Sequence, residues 1–251
     1  LAYRAQAEMN PASVMKLVTT FAALDLLGPA YQWTTQIALD GRVEAGVLKG
    51  NLVIQGGGDP KLVVERLWLL LARVRSLGVR QVAGDIVLDA SAFEPLPTRA
   101  GDFDDQPLRA YNAAPDALLI NFKSVVMGFV PDRAANTAQI SYDLPLAGVQ
   151  MQSSVPLAAG DCGDYRGALR ADFSDPLRIR FLGSYPASCG EKVWPVAYAD
   201  PRSHAARVID GLWQELGGKL GGTVRDGRLP GTTGAAGPRL LFELNSPALA
   251  E

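Results

Sequence analysis

Ser13 and Lys16 have the clearest capacity for covalent chemistry in the chain, standing three apart in Asn10-Pro11-Ala12-Ser13-Val14-Met15-Lys16-Leu17-Val18-Thr19-Thr20. Side chains three or four apart on a helix are neighbours, so a hydroxyl and an amine at this spacing can meet. A serine hydroxyl is a weak nucleophile until an adjacent base takes its proton. An amine serves as that base once burial or a second cation disfavours its charged form. The element that must position the pair is a helix. Asn10 caps free backbone donors, and Pro11 suits the first helical position. Val14, Leu17, Val18, Phe21 and Leu24 recur at helical spacing, and Gly28-Pro29 supplies the stop. Ser13, Lys16 and Thr20 form a polar row on the other side, with Ser13 in the first turn, where free N–H groups favour developing negative charge. An isolated S-x-x-K also occurs on the wet face of ordinary amphipathic helices, so its context has to decide.

Other chemistries find less support. His204 is the only histidine and hence the only possible member of a Ser-His-Asp triad, but no G-x-S-x-G occurs, and it reads as a solvated helix residue. Cys162 and Cys189 sit in polar, glycine-rich settings unlike those of core thiols. A disulfide formed in an oxidising compartment fits them, with two unrelated free thiols as the alternative. One histidine and no C-x-x-C argue against a metal site. Gln55-Gly56-Gly57-Gly58-Asp59-Pro60 lacks the Lys-Ser/Thr of a phosphate loop and reads as a tight connection.

Composition narrows the class. With 48% hydrophobic and 20% charged residues the chain can bury a core, and a net charge of -2 gives no case for nucleic acid or an anionic membrane. The longest apolar runs, such as residues 67–72, fall far short of the ~20 a membrane span needs. A length of 251 residues allows one large domain or two to three smaller ones.

Around the first helix, the pattern predicts strands over 34–40 and 47–55 with a turn at Gly41-Arg42, a helix over 62–77 and a strand over 82–88 containing Gly84. Residues 89–116 are irregular, with Pro95, Pro97, Pro107 and Pro115 and the acidic cluster Asp102, Asp104 and Asp105. Strands are expected over 117–122, 124–130, 138–142, 149–155 and 177–182, then a helix opening at Asp200-Pro201 and a final strand pair over 223–228 and 239–244. This is a mixed α/β (α+β) chain whose middle is β-rich.

Pro11-Ala12-Ser13-Val14-Met15-Lys16-Leu17 resembles the first active-site motif of penicillin-binding proteins and serine β-lactamases. Val47-Leu48-Lys49-Gly50-Asn51-Leu52, Gly57-Gly58-Asp59-Pro60, Tyr111-Asn112-Ala113-Ala114-Pro115 and Tyr185-Pro186-Ala187-Ser188-Cys189 resemble segments of the D-alanyl-D-alanine carboxypeptidase/endopeptidase family, the low-molecular-mass class C penicillin-binding proteins. They occur in that family's order, almost end to end. The resemblance implies an incomplete transpeptidase/β-lactamase-like domain from residues 1–34 and 238–251, with inserted β-rich α/β domains over 35–237. One insert would be nested in the other, the inner over roughly 90–160.

The implied activity is hydrolysis of D-Ala-D-Ala termini and peptide cross-links in peptidoglycan, with Ser13 acylated and Lys16 as its general base. Stem peptides would be the substrate and β-lactams would acylate the same serine, in the periplasm, with no metal or cofactor. The Ser13 N–H would be one oxyanion donor. Asp105 (or Asp104) and Tyr111 would help hold the free amine of the substrate's diamino acid. The family's S-x-N and K-T-G motifs are absent: Asn245-Ser246-Pro247 and Gly231-Thr232-Thr233-Gly234 do not fit them. The chain also opens as if within an early strand, so it reads as part of a longer enzyme, weak or inactive by itself. Two other readings remain: a non-catalytic peptidoglycan-binding or scaffold module, and a serine β-lactamase. Against the second, β-lactamases carry their next motif much sooner than the roughly 200 residues available here.

Overall fold

The computed structural model describes residues 6–94, 99–228 and 238–251. The early strand expected at the N-terminus, Pro95, Pro97 and Gly231-Thr232-Thr233-Gly234 lie outside the described residues. A 3-10 turn over Ala12–Val14 leads into helix α1 (Met15–Leu27), which ends at Gly28 with φ 83°. Strands β1 (Thr34–Glu44) and β2 (Val47–Gln55), helix α2 (Val64–Ser76) and short strands β3 (Gln81–Val82) and β4 (Ile86–Asp89) follow. The middle of the chain forms β5 (Ser124–Asp132), β6 (Thr137–Tyr142), β7 (Gln150–Met151), β8 (Ser154–Ala158) and the short helix α3 (Tyr165–Leu169). It continues through β9 (Ala171–Asp172), β10 (Arg178–Phe181), β11 (Tyr185–Pro186) and β12 (Lys192–Ala197). Helix α4 (Pro201–Glu215) then carries the chain back to β13 (Lys219–Leu220), β14 (Val224–Asp226) and β15 (Arg239–Asn245).

Two main sheets result, giving the mixed α/β architecture expected. The first has the order β13-β3-β2-β1-β15, with β4 against β2 and β14 against β4. The second runs β11-β8-β6-β5-β12, and β7-β10-β9 form a small third sheet. Strand β15, beyond the expected boundary at 237, is an edge of the first sheet and pairs antiparallel with β1 from Thr34↔Asn245. The strands of the second sheet span 124–197, later in the chain than the inner insert expected over 90–160.

Alternation sets the faces. In β10, Ile179 and Phe181 are buried while Arg178 and Arg180 are exposed. Helix α2 buries Leu67, Leu70, Leu71 and Val74 against Ile37, Leu52 and Ile54 of the first sheet. Helix α4 adds Val208, Leu212 and Trp213 to the same core. In the second sheet Phe129 stacks on Tyr185, with ring centroids 5.6 Å apart, and meets Phe181 edge-on. Fully burying side chains of this kind contributes about 1.5–3 kcal/mol each.

Several expected elements differ. The first hairpin turns at Ala45-Gly46, not at Gly41-Arg42. Both turn residues have positive φ, the mark of a two-residue turn matched to strand twist. Gly41 lies within β1 opposite Gly50, where a Cβ on either would collide with the partner strand's backbone. The strand expected over 82–88 is split at Gly84, which passes against Gly50 while Asn51 Oδ1 accepts from the Asp85 N–H at 2.8 Å. The one expected over 149–155 divides into β7 and β8. Residues 117–122 form no strand, although Ala117, Leu118 and Ile120 are buried. The two last strands do not pair with each other: β14 pairs with β4, and β15 with β1.

The chain passes between the two sheets twice, and the passages meet. Outbound, Asn121, Phe122 and Lys123 all have left-handed φ (44°, 55° and 51°). Inbound, Tyr198 N–H donates to the Lys123 carbonyl at 2.9 Å, beside the Ala197↔Ser124 ladder pair. Asn121 ties this crossing to α2. Its N–H donates to the Leu62 carbonyl at 3.0 Å, and its Oδ1 accepts from the Val64 N–H at 3.3 Å. His204 corrects another expectation. It is fully buried rather than solvated, because α4 is inserted here and turns its first full turn towards Tyr198, whose ring lies 5.7 Å away.

Candidate active site

The Ser13–Lys16 pair forms as the spacing predicts. Lys16 Nζ donates to Ser13 Oγ at 3.1 Å, and both side chains are exposed. Local backbone chemistry sets this geometry. Asn10 Oδ1 accepts from the Ala12 N–H at 2.9 Å, and Ala12 has a left-handed φ of 44° immediately before Ser13. An L-residue held there costs of order 1–3 kcal/mol. Ser13 is therefore in the 3-10 turn that precedes α1, not yet in its regular helix. The Thr19 hydroxyl donates back to the Met15 carbonyl at 3.1 Å.

The apolar side of α1 does not pack as an amphipathic stripe would. No residue of α1 is buried, and Leu17 and Phe21 are each 71% exposed. The segment after β15 lies close to where the helix ends. Trp33 N–H donates to Ser246 Oγ at 2.9 Å, Leu249 N–H to the Tyr31 carbonyl at 2.9 Å, and Ala250 N–H to the Pro29 carbonyl at 3.1 Å.

A second polar group forms in the acidic loop. Tyr111 Oη donates to Asp104 Oδ2 at 2.6 Å, and Asp104 Oδ1 accepts from Asn112 Nδ2 at 2.7 Å and from the Gln106 N–H at 3.0 Å. The Tyr111 hydrogen bond, foremost, holds the Asp104 carboxyl below the usual range, and the same bond raises the Tyr111 phenol. Asp105, named first from the sequence, is not the partner: it takes a left-handed φ of 56° and makes no hydrogen bond to Tyr111. The signals for Asp104 were its position two before Gln106, which suits an Asx turn, and the amide of Asn112 beside Tyr111. Among the described residues, no hydrogen bond or ion pair joins this group to Ser13 or Lys16.

Cys162 and Cys189 are bonded to each other, which removes the free-thiol alternative. The bridged segment is pinned further where Tyr185 Oη donates to the Gly190 carbonyl at 2.8 Å and Ser188 Oγ to the Gly160 carbonyl at 2.7 Å. Among the described residues no cluster of three or more His, Cys, Asp or Glu is placed to hold a metal ion, and no helix is long and apolar enough to cross a membrane.

Comparison with known proteins gives the geometry its context. The model of the D-Ala-D-Ala carboxypeptidase 3 (S13) family matches residues 1–251. The D-alanyl-D-alanine carboxypeptidase DacB of Haemophilus influenzae is 32% identical over 119 residues, 47% of this chain and 25% of that protein. A D-alanyl-D-alanine carboxypeptidase of Actinomadura sp. strain R39 is 37% identical over 87 residues, 35% of this chain and 16% of that protein. The crystal structure of penicillin binding protein 4 from H. influenzae superposes with a TM-score of 0.67 at 25% identity, over 96% of this chain and 52% of that one. This chain thus spans about half the length of that solved relative.

Proposed function

Because the chain belongs to the D-Ala-D-Ala carboxypeptidase 3 (S13) family, we propose that it carries the nucleophile and base of a serine D,D-peptidase acting on peptidoglycan stem peptides. The observation that carries this reading is the 3.1 Å contact between Lys16 Nζ and Ser13 Oγ. In its amine form Lys16 takes the hydroxyl proton as Ser13 Oγ attacks the carbonyl between two D-alanines. The oxyanion meets the Ser13 N–H at the helix start, where backbone donors are free. Collapse of the tetrahedral intermediate breaks the C–N bond, and the departing D-alanine amine receives the proton from Lys16. Water then cleaves the acyl-serine, and a β-lactam would acylate the same oxygen without rapid release.

The Tyr111–Asp104 pair supports a substrate-side role, since a half-buried carboxylate oriented by three donors keeps acceptor capacity for a ligand ammonium group. The disulfide supports an oxidising, periplasmic setting. We read α1 and the tail after β15 as part of a transpeptidase-like domain, the seven-stranded sheet as an outer insert and the five-stranded sheet as an inner one. The 251 residues contain neither S-x-N nor K-T-G. The competing reading is a module whose inserted sheets bind the cell wall without turnover.

Labelling with a fluorescent penicillin tests the assignment, in a polypeptide that joins these residues to both absent motifs. Wild type should label, and Ser13→Ala should abolish labelling. Lys16→Ala should slow it by at least ~10²-fold, the usual scale of a general base. Labelling that survives Ser13→Ala refutes the nucleophile. Retention on purified sacculi without labelling would support the binding module instead.

A further inference from the structure

Helix α2, helix α4 and the turn after β6 enclose an open groove of about 790 Å³ that the proposed chemistry does not use. Leu144, Met151 and Leu212 contribute to its apolar lining, together with the Trp68 and Tyr142 rings. Trp68 is 45% exposed, and Leu69 beside it 61%, although α2 already buries a complete apolar face on its other side. Three carboxylates, Glu65, Asp143 and Glu215, line the same groove, and no lysine or arginine does so among the described residues. Asp143 is the inner one. Its oxygens accept from the Val126 N–H and from Asn121 Nδ2, both at 2.8 Å. Burial, and to a lesser degree the charge of Glu65, raise its carboxyl above the usual range. Among the described residues, the ionisable side chains that line the groove, Tyr142 apart, are therefore all carboxylates.

We propose that this groove is a docking site for a short basic and apolar segment of a partner protein. One lysine or arginine of the segment would sit among Glu65, Asp143 and Glu215, and an aromatic or large aliphatic neighbour would lie against Trp68. Charge complementarity selects the cation, because a ligand ammonium or guanidinium relieves the repulsion between Glu65 and the half-buried Asp143. The exposed Trp68–Leu69 surface continues the apolar contact outside the cavity, which favours a polypeptide over a small amine. Exposed tryptophans of this kind recur as interface anchors. The inference is independent of the Ser13 assignment, since no residue of α1 lines the groove.

The test is selection of a displayed random dodecapeptide library on the immobilised wild-type chain, followed by calorimetry with the enriched peptides. Two variants serve as controls, Glu65→Lys/Glu215→Lys and Trp68→Ala. Their changed side chains are exposed, and circular dichroism verifies that they fold. Enriched peptides should place Lys or Arg within two positions of an aromatic or large aliphatic residue. Each variant should weaken their binding at least tenfold, and raising the salt from 50 to 300 mM should weaken wild-type binding several-fold. Enrichment of neutral or acidic peptides, no enrichment, or binding to either variant as tight as to wild type overturns the proposal. So does competition by an amine-bearing muropeptide, which would make the groove a substrate subsite, or wild-type self-association through Trp68, which would make it a dimer face.

Discussion

His204 makes the stability of this protein depend on pH in a calculable way. Its imidazole is fully buried in α4, and neither ring nitrogen has a hydrogen-bond partner among the described residues. Burial, foremost, pushes its pKa from 6.5 down to about 4. The nearby Lys123 charge acts in the same direction, and a weak backbone contact at Ser124, outside hydrogen-bond geometry, opposes it. The unfolded state therefore binds a proton between pH 6.5 and about 4 that the folded state refuses. Stability is complete above the unfolded value and falls as pH drops through this window. At 1.36 kcal/mol per pKa unit the full loss is about 3 kcal/mol, of which ~2 kcal/mol has gone by pH 5. His204→Leu removes the titrating group. It replaces an unpartnered polar ring with an apolar side chain, so its stability at pH 7.5 should lie within ~1 kcal/mol of wild type. Asp143 titrates with the opposite sign, because its raised pKa makes protonation in acid favour folding. The difference between the two proteins cancels that contribution. Urea denaturation at pH 7.5 and pH 5 should show wild type losing ~2 kcal/mol more than His204→Leu. Parallel losses would mean that His204 charges without penalty and that its buried, unpartnered setting is wrong.

Other consequences of the fold can be measured on the same chain. Replacing Cys162 and Cys189 by serine opens a loop 27 residues long. In the chain-entropy model this costs about 3–4 kcal/mol, to be read as a lower urea midpoint for the variant than for the oxidised protein. Arg66 is the ion-pair partner of Asp59, which is 1% exposed, at 3.2 Å, and its Nη2 also donates to the Asn245 carbonyl at 2.6 Å. Arg66→Ala leaves a buried carboxylate unpaired and should cost about 3–5 kcal/mol by thermal or chemical denaturation. A companion Arg66→Ala/Asp59→Asn variant should recover part of that loss.

What was legible in the sequence follows a physical division. Elements set by their own residues emerged close to where they lie: α2 with its stop at Gly78, α4 opening at Asp200-Pro201, and the alternating strand β6. Elements set by a distant neighbour did not. Gly41 looks like a turn residue, but the close approach of Gly50 on the facing strand is what requires it to lack a side chain. Residues 117–120 are apolar enough for a strand, yet their backbone is engaged elsewhere, with the Ala117 carbonyl accepting from the Gly58 N–H at 2.8 Å. His204 has polar neighbours in sequence, and only the insertion of α4 beside the crossing at Ser124 buries it.

The candidate site divides along the same line. A contact between positions 13 and 16 depends on local backbone geometry alone, a turn fixed by the Asn10 cap and continued by α1, which is why it could be read without tertiary knowledge and why it forms beside a helix with no buried residue. The choice between Asp104 and Asp105 was only partly legible: the Asx-turn spacing to Gln106 points to Asp104, but the left-handed backbone at Asp105 accompanies the turn of Asp104 towards Tyr111. The same reasoning bounds what the Ser13–Lys16 contact means chemically. Hydrogen bonding to Lys16 positions the hydroxyl, but an amine works as a base at neutral pH only where its charged form is disfavoured, as burial or a second nearby cation would do. Burial of α1 is therefore the quantity that separates a positioned serine from an activated one. Penicillin acylation rates should rise with the protection of α1 amides from hydrogen exchange, and rapid acylation on an unprotected helix would refute the link.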